Sequence, residues 1–300
     1  MIIACLSAYD ADLVRELAGT DEVQVRTAPE SGDGVIPLVE DADIVIADAA
    51  RRFPMDAEVI DAMARCRFIQ LPAAGYDTVD VARAAERGIP VANAPGYNAD
   101  AVADWVVMGA LNVLRAPEPL GRELGALTVG LVGMGAVARA VVARLRGFGS
   151  GIVFSARSPR DVPGGRQVEL AELLEVSDVV SLHLALTPET RGVIGRAELA
   201  GMRDGAILVN SARGALVDQD ALVEGLRAGK PAGAALDVFD PEPLPADSPL
   251  RGLPNVYLSP HIGAGTWQAR HRVRGMVADN LRRVLAGEPP LHVVNDVRPV

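Results

Sequence analysis

A glycine-rich turn directly after a short apolar run is the feature that most constrains the fold. Residues 127–132 form the apolar run, and Gly133-Met134-Gly135-Ala136-Val137-Ala138 follows immediately. In such a turn the first glycine allows the bend, the second lets the backbone approach a pyrophosphate, and a third small residue lets helix and strand pack closely. The pattern therefore predicts the strand, turn and helix of a Rossmann dinucleotide-binding unit.

The rest of the chain alternates between apolar runs and helical stretches. Before the turn, apolar runs lie at residues 2–6, 23–26, 44–47, 68–71 and 88–93, and helical patterns at 10–19, 55–65 and 99–114. After the turn, strands are predicted at 151–155, 179–184, 206–210, 233–238 and 256–259. This alternation predicts an α/β protein with parallel sheets, and the second set of strands predicts a doubly wound sheet.

Polar clusters lie at the ends of the last three predicted strands. They contain Arg213 in Asn210-Ser211-Ala212-Arg213-Gly214, Glu242 in residues 237–243, and His261 in Ser259-Pro260-His261-Ile262-Gly263. Reducing a 2-keto acid requires a hydride donor, a cation for the carboxylate and carbonyl, and an acid for the nascent alkoxide. An arginine fork, a histidine and a carboxylate that favours the imidazolium and orients its ring suit these tasks. Taken singly, the three residues have plainer interpretations as a surface charge, a rigid loop and a turn.

Composition and charge exclude several classes of protein. The 300 residues are 49% hydrophobic with a net charge of -10, so the chain can bury one or two cores and lacks the basic excess of nucleic-acid-binding proteins. No charged-then-apolar leader opens the sequence and no apolar run reaches roughly 18 residues, so we expect neither secretion nor membrane insertion. Only Cys5 and Cys66 are present, with no CxxC and no His at metal spacing, so we expect a cytoplasmic protein without a disulfide or a metal.

The choice between NAD(H) and NADP(H) can be argued from the region after the second strand of the Rossmann unit. An NAD-preferring protein usually has an Asp or Glu there, about 20 residues after the first glycine. This chain has Ala156, Arg157, Ser158 and Arg160 instead, which offer cationic and hydroxyl partners to a 2′-phosphate. We therefore predict that NADPH is preferred and that NADH remains possible. The alternative is that these arginines are only solvated.

The chain resembles the D-isomer-specific 2-hydroxyacid dehydrogenase family, which includes glyoxylate/hydroxypyruvate reductases and 3-phosphoglycerate dehydrogenases. Residues 129–135, 181–187, 210–214, 237–243 and 259–261 carry the resemblance. It implies a Rossmann dinucleotide-binding domain at residues 98–265, inserted into a smaller flavodoxin-like substrate domain formed by residues 1–97 and 266–300. It also implies an active site in the cleft between the domains.

The same resemblance implies a role for each site residue. Arg213 would bind the substrate carboxylate and carbonyl, and His261, paired with Glu242, would be the acid/base. The turn Ala73-Ala74-Gly75 looks like the substrate loop, although a plain tight turn is the alternative. Asp237 matches the position that contacts the nicotinamide amide. The predicted cofactor contacts are Gly133, Gly135, Ala136, Val137, Ala156, Arg157, Ser158, Arg160, His183, Ala212 and Asp237.

The predicted reaction is reduction of a small 2-keto acid, with glyoxylate or hydroxypyruvate favoured, to the D-2-hydroxy acid. Substrate choice would lie in loops near Arg51-Arg52-Phe53, residues 73–76 and Trp267, and either arginine could favour a phosphorylated substrate. The alternatives are phosphoglycerate dehydrogenase-like oxidation with NAD, phosphite or formate oxidation, and a nucleotide-sensing binding protein or corepressor. We expect a homodimer through the helix near residues 101–114, with a small interface because the segment from Arg115 to Leu127 is short.

Overall fold

The computed structural model describes residues 1–28, 34–50, 52–115 and 121–297. Arg51 and the proline-rich stretch at 116–119 lie outside these residues. The chain forms two compact units, one made of Met1–Tyr97 and Trp267–Val300 and the other of Asn98–Thr266. The second unit is thus inserted into the sequence of the first.

A five-stranded parallel sheet forms the centre of the first unit. Its strands are β1 (Ile2–Cys5), β2 (Gln24–Thr27), β3 (Ile44–Ile46), β4 (Phe68–Gln70) and β5 (Val91–Ala92). The spatial order is β2-β1-β3-β4-β5, which is the order of flavodoxin-like sheets. The helices are α1 (Ala11–Ala18), α2 (Ile36–Val39), α3 (Ala57–Ala62), α4 (Val81–Glu86) and, numbered along the whole chain, α10 (Trp267–Leu285).

Local sequence signals explain how α1 begins and ends. The Asp10 side chain caps the helix by accepting a hydrogen bond from the Leu13 N–H at 2.8 Å, and Gly19 ends the helix in the left-handed conformation. Helices α1 and α10 cover one face of the sheet, where Val14 and Val277 join the same apolar core as Phe68. A second core on α2, α3 and α4 covers the other face.

A seven-stranded parallel sheet forms the centre of the second unit. Its strands are β6 (Thr128–Val132), β7 (Gly151–Ser155), β8 (Gly165–Gln167), β9 (Val179–Leu182), β10 (Ile207–Asn210), β11 (Gly233–Leu236) and β12 (Val256–Leu258). The order is β12-β11-β10-β9-β6-β7-β8, the Rossmann order with one strand added. Helices α5 (Ala99–Leu114), α6 (Ala136–Phe148), α7 (Leu170–Val176), α8 (Arg196–Gly201) and α9 (Gln219–Ala228) cover its faces.

The two sheets confirm the predicted fold class. All strand pairs within both sheets are parallel, and the Rossmann order reverses between β6 and β9. Ligands of such sheets bind outside the carboxyl ends of the strands near this reversal. The carboxyl edge of the seven-stranded sheet is therefore where the functional side chains should be sought.

Candidate active site

The turn after β6 has the backbone conformation that the glycine pattern predicts. Gly133 has a positive φ of 97°, and a β-carbon at this position would lie 2.6 Å from the carbonyl oxygen of His183. Gly135 is the N-cap of α6, where no side chain caps the helix and the first turn holds no acidic residue. Unpaired N–H groups at the start of a 13-residue helix favour an anion. These features fit the pyrophosphate of a dinucleotide.

The loop after β7 is held by one side chain of the neighbouring edge strand. The Gln167 side-chain amide donates to the carbonyl oxygens of Ala156 at 2.9 Å and Ser158 at 3.2 Å, and its oxygen accepts from the Arg160 N–H at 2.9 Å. Arg157 is exposed on this loop, and residues 155–160 include no acid. The loop therefore offers a fixed backbone, hydroxyls and positive charge.

One carboxylate nevertheless lies within electrostatic reach of Arg157. The pKa of Glu189 is lowered, first by a hydrogen bond from Thr187, then by its own backbone N–H, and least by the positive charge of Arg157. Arg157 therefore has an acidic neighbour outside its own loop, and part of its charge is compensated.

Two buried polar atoms at the carboxyl ends of β9 and β10 have no hydrogen-bond partner among the described residues. They are Nε2 of His183 and Oγ of Ser211. Burial lowers the pKa of His183 to about 4, so its ring is neutral at pH 7. Buried polar atoms normally find a partner, and a bound cofactor would provide one.

The turn that carries Arg213 is fixed by the side chain of Asn210, which is buried at the end of β10. Asn210 donates to the Arg213 carbonyl at 2.9 Å and accepts from the Ala212 N–H at 3.1 Å. The next residue, Gly214, permits a close approach, since a β-carbon there would lie 2.0 Å from the Phe239 backbone. The guanidinium is half-buried and donates to the Ala212 carbonyl at 2.7 Å. Asn210 is not among the site residues that the sequence predicts.

The segments after β11 and β12 bring Glu242 and His261 together. Nδ1 of His261 and Oε1 of Glu242 are hydrogen-bonded. The side chains of His261 and Glu242 are 34% and 18% exposed, so both are partly buried and remain accessible. Glu242 thereby orients the ring and leaves Nε2 as the nitrogen that can exchange a proton with a ligand.

Asp237, at the end of β11, holds the loop that carries His261. Its buried carboxylate accepts hydrogen bonds from the Ile262 N–H at 2.9 Å and the Gly263 N–H at 2.8 Å. Ser259 donates to the same carboxylate at 2.6 Å. A carboxylate offers about four acceptor positions, so one remains for a ligand such as the nicotinamide amide.

The predicted substrate loop, Ala73-Ala74-Gly75, follows β4 in the first unit. The carbonyl of Ala73 accepts from the Ala94 N–H at 2.9 Å, and that of Ala74 accepts from the Asn93 side chain at 2.7 Å. Within the described chain, the N–H groups of these three loop residues donate no hydrogen bond. Held carbonyls beside uncommitted N–H groups are the arrangement that an anion-binding loop needs.

Arg52, one of the two arginines that could favour a phosphorylated substrate, is already paired. Its guanidinium contacts the buried carboxylate of Asp48 at 3.3 Å and donates to the Leu6 carbonyl at 3.2 Å. It also lies over the ring of Phe53, 5.2 Å from the centroid. Arg52 therefore has structural partners within its own unit.

Arg213, Glu242 and His261 thus follow three adjacent strands at the carboxyl edge that also carries the Gly133 turn. Among the described residues, no group of three or more His, Cys, Asp or Glu side chains is placed to hold a metal ion. No helix in the described part of the chain is long and apolar enough to cross a bilayer. A Rossmann sheet with these side chains defines a nicotinamide-dinucleotide-dependent oxidoreductase.

Comparisons with known proteins identify the family. The model of the D-isomer specific 2-hydroxyacid dehydrogenase family, NAD binding domain, matches residues 98–263. The chain is 39% identical over 291 residues to a glyoxylate reductase of Korarchaeum cryptofilum, covering 89% of this chain and 87% of that protein. The chain therefore belongs to the D-isomer specific 2-hydroxyacid dehydrogenase family, which confirms the predicted membership.

Two further relatives show how far the similarity extends. A D-3-phosphoglycerate dehydrogenase of Methanocaldococcus jannaschii is 36% identical over 304 residues, which are 95% of this chain and 57% of that protein. The crystal structure of a glyoxylate reductase from Paecilomyes thermophila has a TM-score of 0.89 at 31% identity and covers 98% of both chains. The similarity thus includes both units of the chain.

Proposed function

We propose that the protein reduces glyoxylate or hydroxypyruvate to the corresponding 2-hydroxy acid, of D configuration where the product is chiral, with NADPH as the preferred cofactor. The observation that carries the proposal is the hydrogen bond between Glu242 and His261, which follow β11 and β12. Arg213 follows β10, the strand beside β11. These groups lie at the same sheet edge as the Gly133 turn. A cation, an oriented acid and a dinucleotide cradle are the three requirements of this reaction.

The roles of the side chains follow from their chemistry. Arg213 binds the substrate carboxylate and polarises the carbonyl, because its planar fork can donate two parallel hydrogen bonds. A reduced nicotinamide cofactor held at the Gly133 turn would supply the hydride for the carbonyl carbon. His261 donates the proton on Nε2 to the carbonyl oxygen as that oxygen gains negative charge. Glu242 holds Nδ1 and stabilises the protonated ring.

The cofactor contacts are proposed from the turn and strand ends. Gly133, Gly135, Ala136 and Val137 bind the pyrophosphate through the N-terminus of α6. The unpartnered Nε2 of His183 is a further polar contact for the cofactor. The remaining groups are Ala212, next to Arg213, and Asp237, whose free acceptor position receives the nicotinamide amide.

The preference for NADPH rests on charge. Ala156, Arg157, Ser158 and Arg160 present no carboxylate to repel a 2′-phosphate, and the Gln167 side chain holds their loop in place. The neighbouring Glu189 reduces the preference without reversing it, because two arginines and a hydroxyl lie on the loop.

The substrate class is proposed from the first unit. Ala73, Ala74 and Gly75 bind the substrate carboxylate through their uncommitted N–H groups. Arg52 is paired with Asp48, which argues against a phosphorylated substrate and so against the phosphoglycerate dehydrogenase alternative. A small uncharged substituent on the keto acid fits these features best.

We also propose that the protein is a homodimer and that it is located in the cytoplasm. An apolar surface lies on α5 and α6, where Met108 is 40% and Phe148 46% exposed, and both cysteines are free and buried. A homodimer through α5 would cover the apolar surface. Burial raises the pKa of Cys5 to about 11 and that of Cys66 to about 12, as is usual for unreactive thiols in a reducing cytoplasm.

The test is the oxidation of NADPH and NADH with glyoxylate, hydroxypyruvate, pyruvate, phenylpyruvate and 2-ketoglutarate. We expect the highest kcat/KM with NADPH on glyoxylate or hydroxypyruvate. Comparable rates with both cofactors at low concentration would refute the NADPH preference. Cofactor binding without turnover on any of these acids would refute the proposed reaction and favour a nucleotide-binding regulator.

A further inference from the structure

His261 has an uncommon backbone conformation. Its φ is 55°, in the left-handed region that non-glycine residues rarely adopt. Such a conformation persists only where surrounding contacts hold it. The contacts that hold the His261 loop are therefore part of how the imidazole is positioned.

A chain of buried hydrogen bonds leads from α5 to this loop. The indole N–H of Trp105 donates to Oγ of Ser259 at 2.9 Å, and this hydroxyl donates to Oδ1 of Asp237 at 2.6 Å. All three residues are buried, with exposures of 5%, 6% and 1% for Trp105, Ser259 and Asp237. The His261 N–H donates to the Asp237 carbonyl at 2.8 Å.

The donor and the acceptor of each of these buried hydrogen bonds can be assigned. An indole N–H can only donate, so Ser259 must accept from Trp105, and its single hydroxyl hydrogen is then available for Asp237. Asp237 accepts from this hydroxyl and from the N–H groups of Ile262 and Gly263, the two residues after His261. The carboxylate thereby fixes the backbone of the two residues that follow His261.

We propose that Trp105 and Ser259 are positioning residues that hold His261 in its productive orientation through Asp237. The proposal rests on the proposed role of His261 as proton donor. Neither Trp105 nor Ser259 needs to touch the substrate, because their effect passes through the carboxylate to the loop. Removing the Ser259 hydroxyl leaves the buried indole N–H of Trp105 without its partner and removes one of the donors to Oδ1 of Asp237. The loop is then held less firmly, and His261 can leave its left-handed conformation.

The decisive test is a double-mutant cycle between Ser259→Ala and His261→Ala, with kcat for hydroxypyruvate as the readout. We expect Ser259→Ala to lower kcat about 10- to 100-fold, the size of loss that a small misplacement of a catalytic group produces. NADPH affinity, followed by the fluorescence of the bound cofactor, should change little. In the His261→Ala background the same substitution should cause no further loss, because the imidazole it positions is gone.

Two further variants keep the test independent of folding. Trp105→Phe removes the N–H donor and retains an aromatic ring, so it should lower kcat less than Ser259→Ala does. In the His261→Ala background it should likewise cause no further loss. Ser177→Ala is the matched control: its hydroxyl is also buried, and no described residue is its hydrogen-bond partner. We expect the control to leave kcat unchanged.

The outcomes separate this inference from the proposed function. An equal loss of kcat in both backgrounds, or no loss in either, would overturn the positioning role while leaving His261 as the acid. Wild-type turnover by His261→Ala would instead overturn the proposed function itself. If Ser259→Ala does not fold, the same cycle with Trp105→Phe decides the matter.

Discussion

The two ends of the seven-stranded sheet's carboxyl edge are built in different ways. After β10, β11 and β12, the edge presents long functional side chains whose positions are set by buried side-chain hydrogen bonds from Asn210 and Asp237. After β6, it presents glycine, alanine and backbone N–H groups at the start of α6. The first region is suited to proton transfer and the second to holding an anion.

This difference shows which changes each region tolerates. A site made of side chains fails when a particular functional group is removed, even if the backbone remains intact. A site made of backbone fails when a side chain is added, because the added atoms occupy the space that the ligand or the turn requires. The following predictions use substitutions that distinguish the two kinds of site.

The largest effect is expected from His261→Ala. Loss of the proton donor should lower kcat by about 10² to 10⁴-fold, while the Kd for NADPH stays close to the wild-type value. Steady-state kinetics and a fluorescence titration measure the two quantities on the same preparation. A large rise in the Kd would mean that cofactor binding depends on His261 and that the two regions do not act independently.

Arg213→Lys tests whether the fork geometry matters beyond the charge. We expect a loss of kcat/KM of about 10²-fold, nearly as large as that of Arg213→Ala, because a point charge cannot donate two parallel hydrogen bonds. Rates with the keto acid for both variants provide the comparison. Near-native activity of the lysine variant would show that charge alone suffices.

Gly133→Ala tests the backbone region. The positive φ and the 2.6 Å approach to the His183 carbonyl leave no room for a β-carbon, so the Kd for NADPH should rise by about 10-fold or more. Gly147→Ala is the control, since a β-carbon there meets nothing within 4 Å. Equal cofactor affinity of both variants would contradict the importance of the turn geometry.

Arg157→Ala tests the cofactor preference. Removal of this charge should raise the KM for NADPH about 5- to 10-fold and leave the KM for NADH nearly unchanged. Arg166→Ala removes the same charge from β8, where the arginine pairs with Glu172, and should change neither KM. If Arg157→Ala raised the KM values for NADPH and NADH equally, the charge of Arg157 would not be what recognises the 2′-phosphate.

The smallest effect is a pH dependence of stability caused by His183. Its pKa is lowered from 6.5 to about 4 by burial, so the unfolded chain binds more protons than the folded protein between these pH values. Stability should therefore fall as the pH is lowered, by about 1 to 2 kcal/mol between pH 6.5 and pH 5 from this group. Denaturant unfolding of wild type and His183→Gln checks it: the variant should lose less stability over that range.

Much of the fold could be predicted because its signals are local. The helix predicted at 99–114 and the strand at 151–155 agree with α5 and β7, since apolar periodicity and flanking turns define both. Strand β8 was missed because Gly165-Arg166-Gln167 contains no apolar residue and lies at the sheet edge. Its existence depends on pairing with β7, which the local sequence does not encode.

The same limit applies to the site. Arg213, Glu242 and His261 could be placed together because the ends of neighbouring parallel strands meet at one edge. The hydrogen bond between Trp105 and Ser259 joins residues 154 positions apart, and nothing in the spacing of either residue indicates it. Supporting contacts of this kind depend on tertiary packing and emerge only from the three-dimensional structure.

The most direct test of the proposed function is the product formed from hydroxypyruvate and NADPH. Chiral analysis of the glycerate, together with the amount of NADPH consumed, measures the reaction and its stereochemistry in one experiment. We expect one equivalent of D-glycerate for each NADPH oxidised. Formation of L-glycerate would contradict the proposed D configuration. Reduction of neither hydroxypyruvate nor glyoxylate while the cofactor is bound would contradict the assignment of Arg213, Glu242 and His261.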